Sequence, residues 1–461
     1  MIMQFEKPAT YPQFIRDLLP SVMTMIFLSF YTTIDGFFVS RFAGSDALAG
    51  INIVIPVTCV IFGVAVMLAT GAGAIIGEKM GRGEEKEVHR IFSMICLVLL
   101  GFCIIFTTVG LIFLKDISRL LGASGRLMEH VLPYAGVIFA GAIPMAFKLF
   151  FEYMVRTDGN PKVALIMSGS GLVLNVLLDA LLVGGFQMGT LGAALGTLIS
   201  ITVSAGIGLV YFLTKSRIRF GKPDFNLRIL LRSCANGSSE MFTEFSTGIT
   251  TFLFNIMIFR FYGEDGVAAI TIIMYIYYFF IAFYMGISVA TAPVISYNMG
   301  SGNLRKIRET LRYSFLTIGA TSAIVLALCY LLGPAIIGLF SEAGHVFDIT
   351  WAGLQIFGLV FVFIGVNVFL SGYFTALGNG LISAVISLLR SLFLVVVFIL
   401  LLPQWMGVNG IWAAMPLAEW VTVAAAALLY RKHGRIWART GAEASFGRLR
   451  PVRRKAAEIE E

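Results

Sequence analysis

The chain is 461 residues long, 58% hydrophobic and only 13% charged, with a formal net charge of +8. A soluble chain carries about 25% charged residues, so this composition excludes an ordinary soluble enzyme or binding domain and specifies an integral membrane protein. The five cysteines, Cys59, Cys96, Cys103, Cys234 and Cys329, lie in or beside apolar runs without paired spacing. They read as small core residues rather than a disulfide or metal framework.

A helix needs about 20 apolar residues to cross ~30 Å of hydrocarbon, and twelve runs of that kind follow one another. The first is too long for the apolar part of a signal peptide, so no cleavage is expected. It begins near Leu18 and holds Pro20, Tyr31 and Asp35. The second, from near Ala47, contains TGAGAIIG, which misses the dinucleotide fingerprint and suits close helix packing. The third begins near Ile91. The fourth, from near Val131, carries Lys148 and Glu152 four residues apart with Arg156 one turn on, a spacing at which charges neutralise each other on one helix face. The fifth, from near Val163, places Asn175 and Asp179 one turn apart, and the sixth, from near Gly189, carries Thr197.

A basic stretch from Thr214 to Arg232 then divides the chain nearly in half. Six more spans begin near Ser233, Val267, Leu311, Ile349, Leu381 and Val408. The seventh span holds Glu240 and Glu244, the eleventh Arg390, and the twelfth Glu419, which is expected near Arg431 and Lys432. Trp351, Trp405 and Trp412 stand near span ends, where an interfacial belt is expected. The expected organisation is an amino-terminal six-helix lobe over 1–213, a cytoplasmic basic linker over 214–232, a carboxyl-terminal six-helix lobe over 233–430 and a basic cytoplasmic tail over 431–461.

The basic residues give the orientation. With the termini and alternate loops on one side, 27 of the 34 Lys and Arg fall there, against five on the other and two, Lys148 and Arg390, within spans. This bias predicts both termini in the cytoplasm of a multi-pass plasma-membrane protein. It also explains the net charge without nucleic acid. No GxxxxGK[ST] occurs, so no nucleotide partner is expected. His89, His130, His345 and His433 lie at loops or ends, away from any intramembrane serine.

The halves repeat. RFAGSDALAGI from Arg41 matches RFYGEDGVAAI from Arg260 at six of eleven positions, an offset of 219. MGRG at Met80 meets MGSG at Met299 at the same offset, and GN at Gly159 meets GN at Gly378. With one residue slipped, MGTLG at Met188 meets MGVNG at Met406. Six spans is an even number, so both halves enter from the same side. The predicted fold is all-α and integral to the membrane, with two six-helix lobes related by a pseudo-twofold axis along the membrane normal and a site between them.

A charged residue at a helix centre costs about 2.5–3.5 kcal/mol on insertion scales, so each one needs a reason. The repeat supplies a control. Asp35 corresponds to Phe254, Asn175 to Leu394, Asp179 to Phe398 and Thr197 to Met415, the last three within one residue. The fold therefore does not require the polar groups, since its own copy is apolar there. Hydrogen bonds between helices average only ~0.6 kcal/mol in bilayers, too little to retain a buried carboxylate for structure. Two carboxylates close together titrate as a pair and can carry a proton. Together with the Asn175 carbonyl and Thr197 hydroxyl they also suit a hard cation such as sodium. The residues leave H+ and Na+ both open as coupling ion, and no cofactor or other metal is expected.

The stretches IDGFFVSRFAGSDALAGI, RTDGNPKVALIMSGSGLVLNVLLDALLV, MGTLGAALGTLIS and ALGNGLISAVISLLR resemble the MATE (multidrug and toxic compound extrusion) family of secondary transporters, nearest the prokaryotic DinF- and MepA-like branch. The resemblance runs to about Tyr430. It implies a cation site from Asp35, Asn175 and Asp179, joined by Thr197, with Tyr31 where an aromatic neighbour is common. Another branch of the family uses acids of the carboxyl-terminal lobe. Glu240 and Glu244 lie near one such position, but the tenth span has no interior Asp. By the repeat control these glutamates pair with Ser21 and Met25, so Glu244 is read as a counter-charge for a cationic substrate, with Glu240 as its neighbour candidate and Arg390 as a substrate, lipid or packing residue.

The expected function is antiport: export of small amphipathic, cationic compounds in exchange for protons or sodium, by alternating access, with a cavity lined by Met, Phe and Tyr. Pro20 offers a place for the first span to bend, and a cavity within one chain makes a monomer sufficient. Membrane lipid is the other expected partner. A flippase for lipid-linked saccharides remains an alternative, although it would want a more basic cavity. An intramembrane aspartyl enzyme built on Asp35 and Asp179 is the alternative of a different class.

Overall fold

The computed structural model describes residues 5, 10–123, 125–341 and 343–431, without the side chains of 32, 33, 35–37, 40, 45 and 126. Nearly all of these residues are helical, and no strand occurs among them. The spans are α1 (Tyr11–Phe42), α2 (Ser45–Gly81), α3 (Glu85–Ile112), α4 (Met128–Ala140 and Ala142–Thr157, bent by 55°), α5 (Pro161–Gly185) and α6 (Gly189–Thr214). One helical stretch, Leu227–Ser301, then runs for 75 residues and turns at Gly263, whose φ of 58° and ψ of −139° are not helical. It supplies two spans, α7 over 227–262 and α8 over 264–301. α9 (Leu304–Leu331), α10 (His345–Ala376), α11 (Gly380–Met406) and α12 (Val408–Leu429) complete twelve.

The repeat is written into the backbone. Positive φ occurs at Gly44 and Gly263, at Gly83 and Gly302, at Gly159 and Gly378, and at Gly189 and Gly407. Each pair occupies corresponding connections in the two halves, where the left-handed region admits glycine without the Cβ clash. The bend of α4 after Ala140 has its counterpart in α10, where a tighter helical segment covers Gly358–Val362. Asparagines start helices where the chain re-enters: Asn226 accepts from the Arg228 and Ile229 amides, Asn303 from Lys306 and Asn379 from Ile382.

Two separate apolar cores result. One is built from α2 to α6 around Phe92, Phe150 and Phe212; the other from α7 to α12 around Tyr284, Phe357, Phe361 and Trp412. The starts of α1 and α7 cross over. Phe14, Leu18 and Val22 of α1 join the second core, while Ile229, Leu230 and Cys234 of α7 join the first.

Backbones of opposite lobes touch near the linker. A Cβ on Gly71 would come 1.9 Å from the Ser233 carbonyl, and one on Gly237 would come 1.9 Å from that of Met67. Gly300 sits equally close to the Glu78 carbonyl. Only glycine allows this approach.

Two expectations need correction. Trp412 is not interfacial: it is 1% exposed, because Gly353 on α10 leaves room for its indole, and a Cβ there would lie 2.9 Å from the ring. Glu419 is not near Arg431; it is fully buried and bonded to Arg390. Lys432 and the rest of the tail lie outside the described residues. The linker is docked rather than loose. Its Ile218 is fully buried, the Gly221 amide donates to the Ser93 hydroxyl, and Phe220 packs on Phe92 at 5.1 Å. α7 begins at Leu227, inside the stretch read as linker.

Candidate functional site

α5 brings Asn175 and Asp179 to one inward face, and both are fully buried. Asp179 ends the regular part of α5, and the next residues, Ala180–Gly185, form a wider π-type turn. Such turns concentrate at functional positions. α6 closes on the carboxylate through Gly196, where a Cβ would stand 2.7 Å from Asp179 Oδ1. The next residue on α6 is Thr197, 6% exposed. α1 reaches the same place: the Tyr31 hydroxyl lies 3.0 Å from Ser200 Oγ and donates to the Thr197 carbonyl at 3.4 Å. Asp35 lies one turn beyond Tyr31 on α1, and its side chain lies outside the described residues. Pro20 is within α1, and its carbonyl accepts the Thr24 hydroxyl at 2.7 Å.

Four predicted residues, Tyr31, Asn175, Asp179 and Thr197, thus stand on the three helices that meet here. Ser200 joins them unforeseen; its position one turn after Thr197 was the available signal. In the second lobe Phe254 and Met415 are buried core residues, and Leu394 and Phe398 pack against the same core. The copy fills the corresponding volume with hydrocarbon.

A cavity lies between the lobes, walled by α2 and α4 on one side and by α7, α8, α10 and α11 on the other. Its wall corrects the expectation of Met, Phe and Tyr: Met285 and Tyr153 are the single Met and Tyr, and the rest is mainly Ala, Gly, Ser and Thr. Small residues here follow from the close helix approach. Glu240 and Arg390 line this cavity, and Glu244 stands one turn further along α7, outside the lining.

Arg390 sits on a π-type turn of α11, Leu389–Phe393. Its Nε lies 3.1 Å from Glu419 Oε1, and Asn367 Nδ2 donates to Glu419 Oε2 at 2.6 Å. Asn367, a buried amide in the greasy tenth span, was not anticipated. In the first lobe Lys148 pairs with Glu152 at 3.0 Å, as its spacing suggested, and the Ser168 hydroxyl donates to the same carboxylate. Arg156 donates to the Glu152 carbonyl at 2.8 Å.

A sequence model of the MatE family matches this chain twice, over residues 20–181 and 241–401. The multidrug export protein MepA of Staphylococcus saprophyticus subsp. saprophyticus is 24% identical over 432 residues, covering 92% of this chain and 94% of that protein. MepA of Staphylococcus aureus is 24% identical over 445 residues with the same coverage. Among solved structures, an outward-facing multidrug resistance MATE family transporter of the MOP superfamily superposes with a TM-score of 0.86 at 22% identity, over 96% of this chain and 98% of that one. A mutant of the Vibrio cholerae MATE transporter VcmN gives 0.86 at 19% identity, over 92% and 97%. These likenesses are of fold. The double match of the family model falls on the two halves that the glycine turns and the two cores define, and the chain belongs to the MATE family of membrane transporters, in its MepA-like branch.

Proposed function

We propose that the protein is a secondary active antiporter that exports small amphipathic organic cations in exchange for protons or sodium. The observation that carries this reading is the convergence of Tyr31, Asn175, Asp179 and Thr197 inside the first lobe, where the second-lobe copies of Asn175, Asp179 and Thr197 are hydrocarbon. The donor set around Asp179 is all oxygen, and it suits a proton or a hard cation equally. The named MepA relatives export multiple drugs, which agrees with a cavity lined mainly by small residues.

The helix α1 links ion to substrate in this reading. Its linker half packs on the second core and its Tyr31 half on the first lobe's polar cluster. Loading the cluster changes how α1 sits, Pro20 supplies a weak point for bending, and the change reaches the lobe interface. The basic linker is expected at the cytoplasm, and in this reading the Gly71 and Gly237 contacts lie on that side. Glu240 is the cavity carboxylate that faces a cationic substrate, and it takes the role first given to Glu244. A lipid-saccharide flippase is disfavoured, because the one basic residue of the cavity lining is already paired with Glu419.

Efflux of a fluorescent cation from proteoliposomes under separate proton and sodium gradients tests the proposal. Accumulation against the substrate gradient under one of them is expected. Movement that only dissipates the substrate gradient, whatever ion is supplied, would show a channel instead.

A further inference from the structure

The second lobe holds a polar network of its own that the coupling cluster does not use. Asn367, Arg390 and Glu419 are all at most 4% exposed and come from α10, α11 and α12. Both Glu419 oxygens are occupied, Oε1 by Arg390 Nε at 3.1 Å and Oε2 by Asn367 Nδ2 at 2.6 Å. Asn367 also donates to the Glu419 carbonyl at 2.9 Å, which fixes its amide. By the repeat, Asn367 and Arg390 correspond to Lys148 and Gly171, and Glu419, after the one-residue slip, to Ile201, so the first lobe folds without this Asn–Arg–Glu set.

Arg390 has two faces. Its Nε faces Glu419, and the side chain also lines the cavity that Glu240 lines. Glu240 has no hydrogen bond or ion pair of its own among the described residues. An arginine that shares a cavity with an unbonded carboxylate takes it as a partner unless something holds it back.

We infer that Glu419 and Asn367 are positioning residues that hold Arg390 off Glu240, and so keep the Glu240 carboxylate available to lipophilic cations. The inference rests on the reading of Glu240 as the substrate's counter-charge. Without the Glu419 charge, Arg390 turns to Glu240 and fills the cation's place. A neutral amphiphile, which uses only the walls, is indifferent to this exchange. The network thereby sets the charge preference of the cavity and not its capacity.

The test is equilibrium binding to the purified full chain, with tetraphenylphosphonium as the cation and N-phenyl-1-naphthylamine as the neutral probe. Glu419→Gln is expected to weaken cation binding at least tenfold and to leave the neutral probe within threefold. The double variant Glu419→Gln with Arg390→Gln is expected to regain cation binding to within threefold of wild type, because the competing charge is gone. That recovery separates the inference from a damaged fold. Unchanged cation binding in Glu419→Gln overturns it, and so does equal loss of both probes or failure of the double variant to recover. Glu240→Gln distinguishes the two levels. If Glu240→Gln binds the cation like wild type, the counter-charge reading fails and this inference with it. If Glu240→Gln weakens the cation and Glu419→Gln does not, the positioning inference alone fails.

Discussion

Tyr31 shows how much one hydroxyl can organise. It bonds to α6 from α1, and it touches both the Thr197 carbonyl and Ser200. A net hydrogen bond is worth about 1 kcal/mol, so Tyr31→Phe should lower thermal stability slightly while leaving the fold intact; an unchanged melting temperature would mean the bond is not formed in the membrane. Asp158, just outside α4, is a different case. It accepts from Tyr211 at 2.6 Å, from Ser216 at 2.9 Å and from the Arg217 amide at 3.3 Å. Burial nevertheless raises its carboxyl above the ordinary 3.8. A raised acid favours the fold fully below that ordinary value, and the benefit is lost as pH rises through the raised one. At neutral pH the charge is therefore a cost. Asp158→Asn, which keeps an acceptor, should match or exceed wild-type stability at pH 7.5, whereas Asp158→Ala leaves buried donors unpaired and should lose about 1–3 kcal/mol. Equal melting temperatures for the two variants would contradict this reading.

At the scale of helices, the contact between α2 and α7 is among the closest backbone approaches of the described residues. Gly237→Ala would put a methyl group 1.9 Å from the Met67 carbonyl carried by the facing helix. Rigid backbones cannot yield that distance, so this approach of the lobes is disfavoured while each lobe keeps its own core. A bias of about 1.4 kcal/mol shifts a two-state population tenfold. The expected outcome is transport reduced at least tenfold with cation binding retained; wild-type transport would show that this contact does not gate the cavity. Much of the helical scaffold was legible from the sequence, because apolar runs of spanning length and repeated glycine turns are local signals. The α7–α8 turn at Gly263 is one, since it pairs with Gly44 in sequence and in φ. Contacts between distant helices were not legible. Glu419 looked free to reach Arg431, yet its partner lies on α11, and Trp412 looked interfacial until Gly353 opened a slot for it. The cavity wall was misjudged for the same reason: large side chains dominate the composition, but helices that approach this closely leave room only for small ones.

The whole molecule is two similar lobes with unlike interiors. The first lobe holds Asn175 and Asp179 where the second is apolar, and the second holds Arg390 and Glu419 where the first has Gly171 and Ile201. Symmetry supplies the rocking frame, and its local violations carry the chemistry. Orientation belongs to this scale too. In a cysteine-free background, Arg219→Cys should be labelled by a membrane-impermeant maleimide only after cells are broken, and labelling of intact cells would reverse the assigned topology. The central claim, that the first-lobe cluster couples ion entry to export, is tested most directly by gradient-driven efflux in proteoliposomes containing Asp35→Asn or Asp179→Asn. Both variants should bind tetraphenylphosphonium like wild type and show no ion-driven efflux; transport at wild-type rates by both would contradict the account.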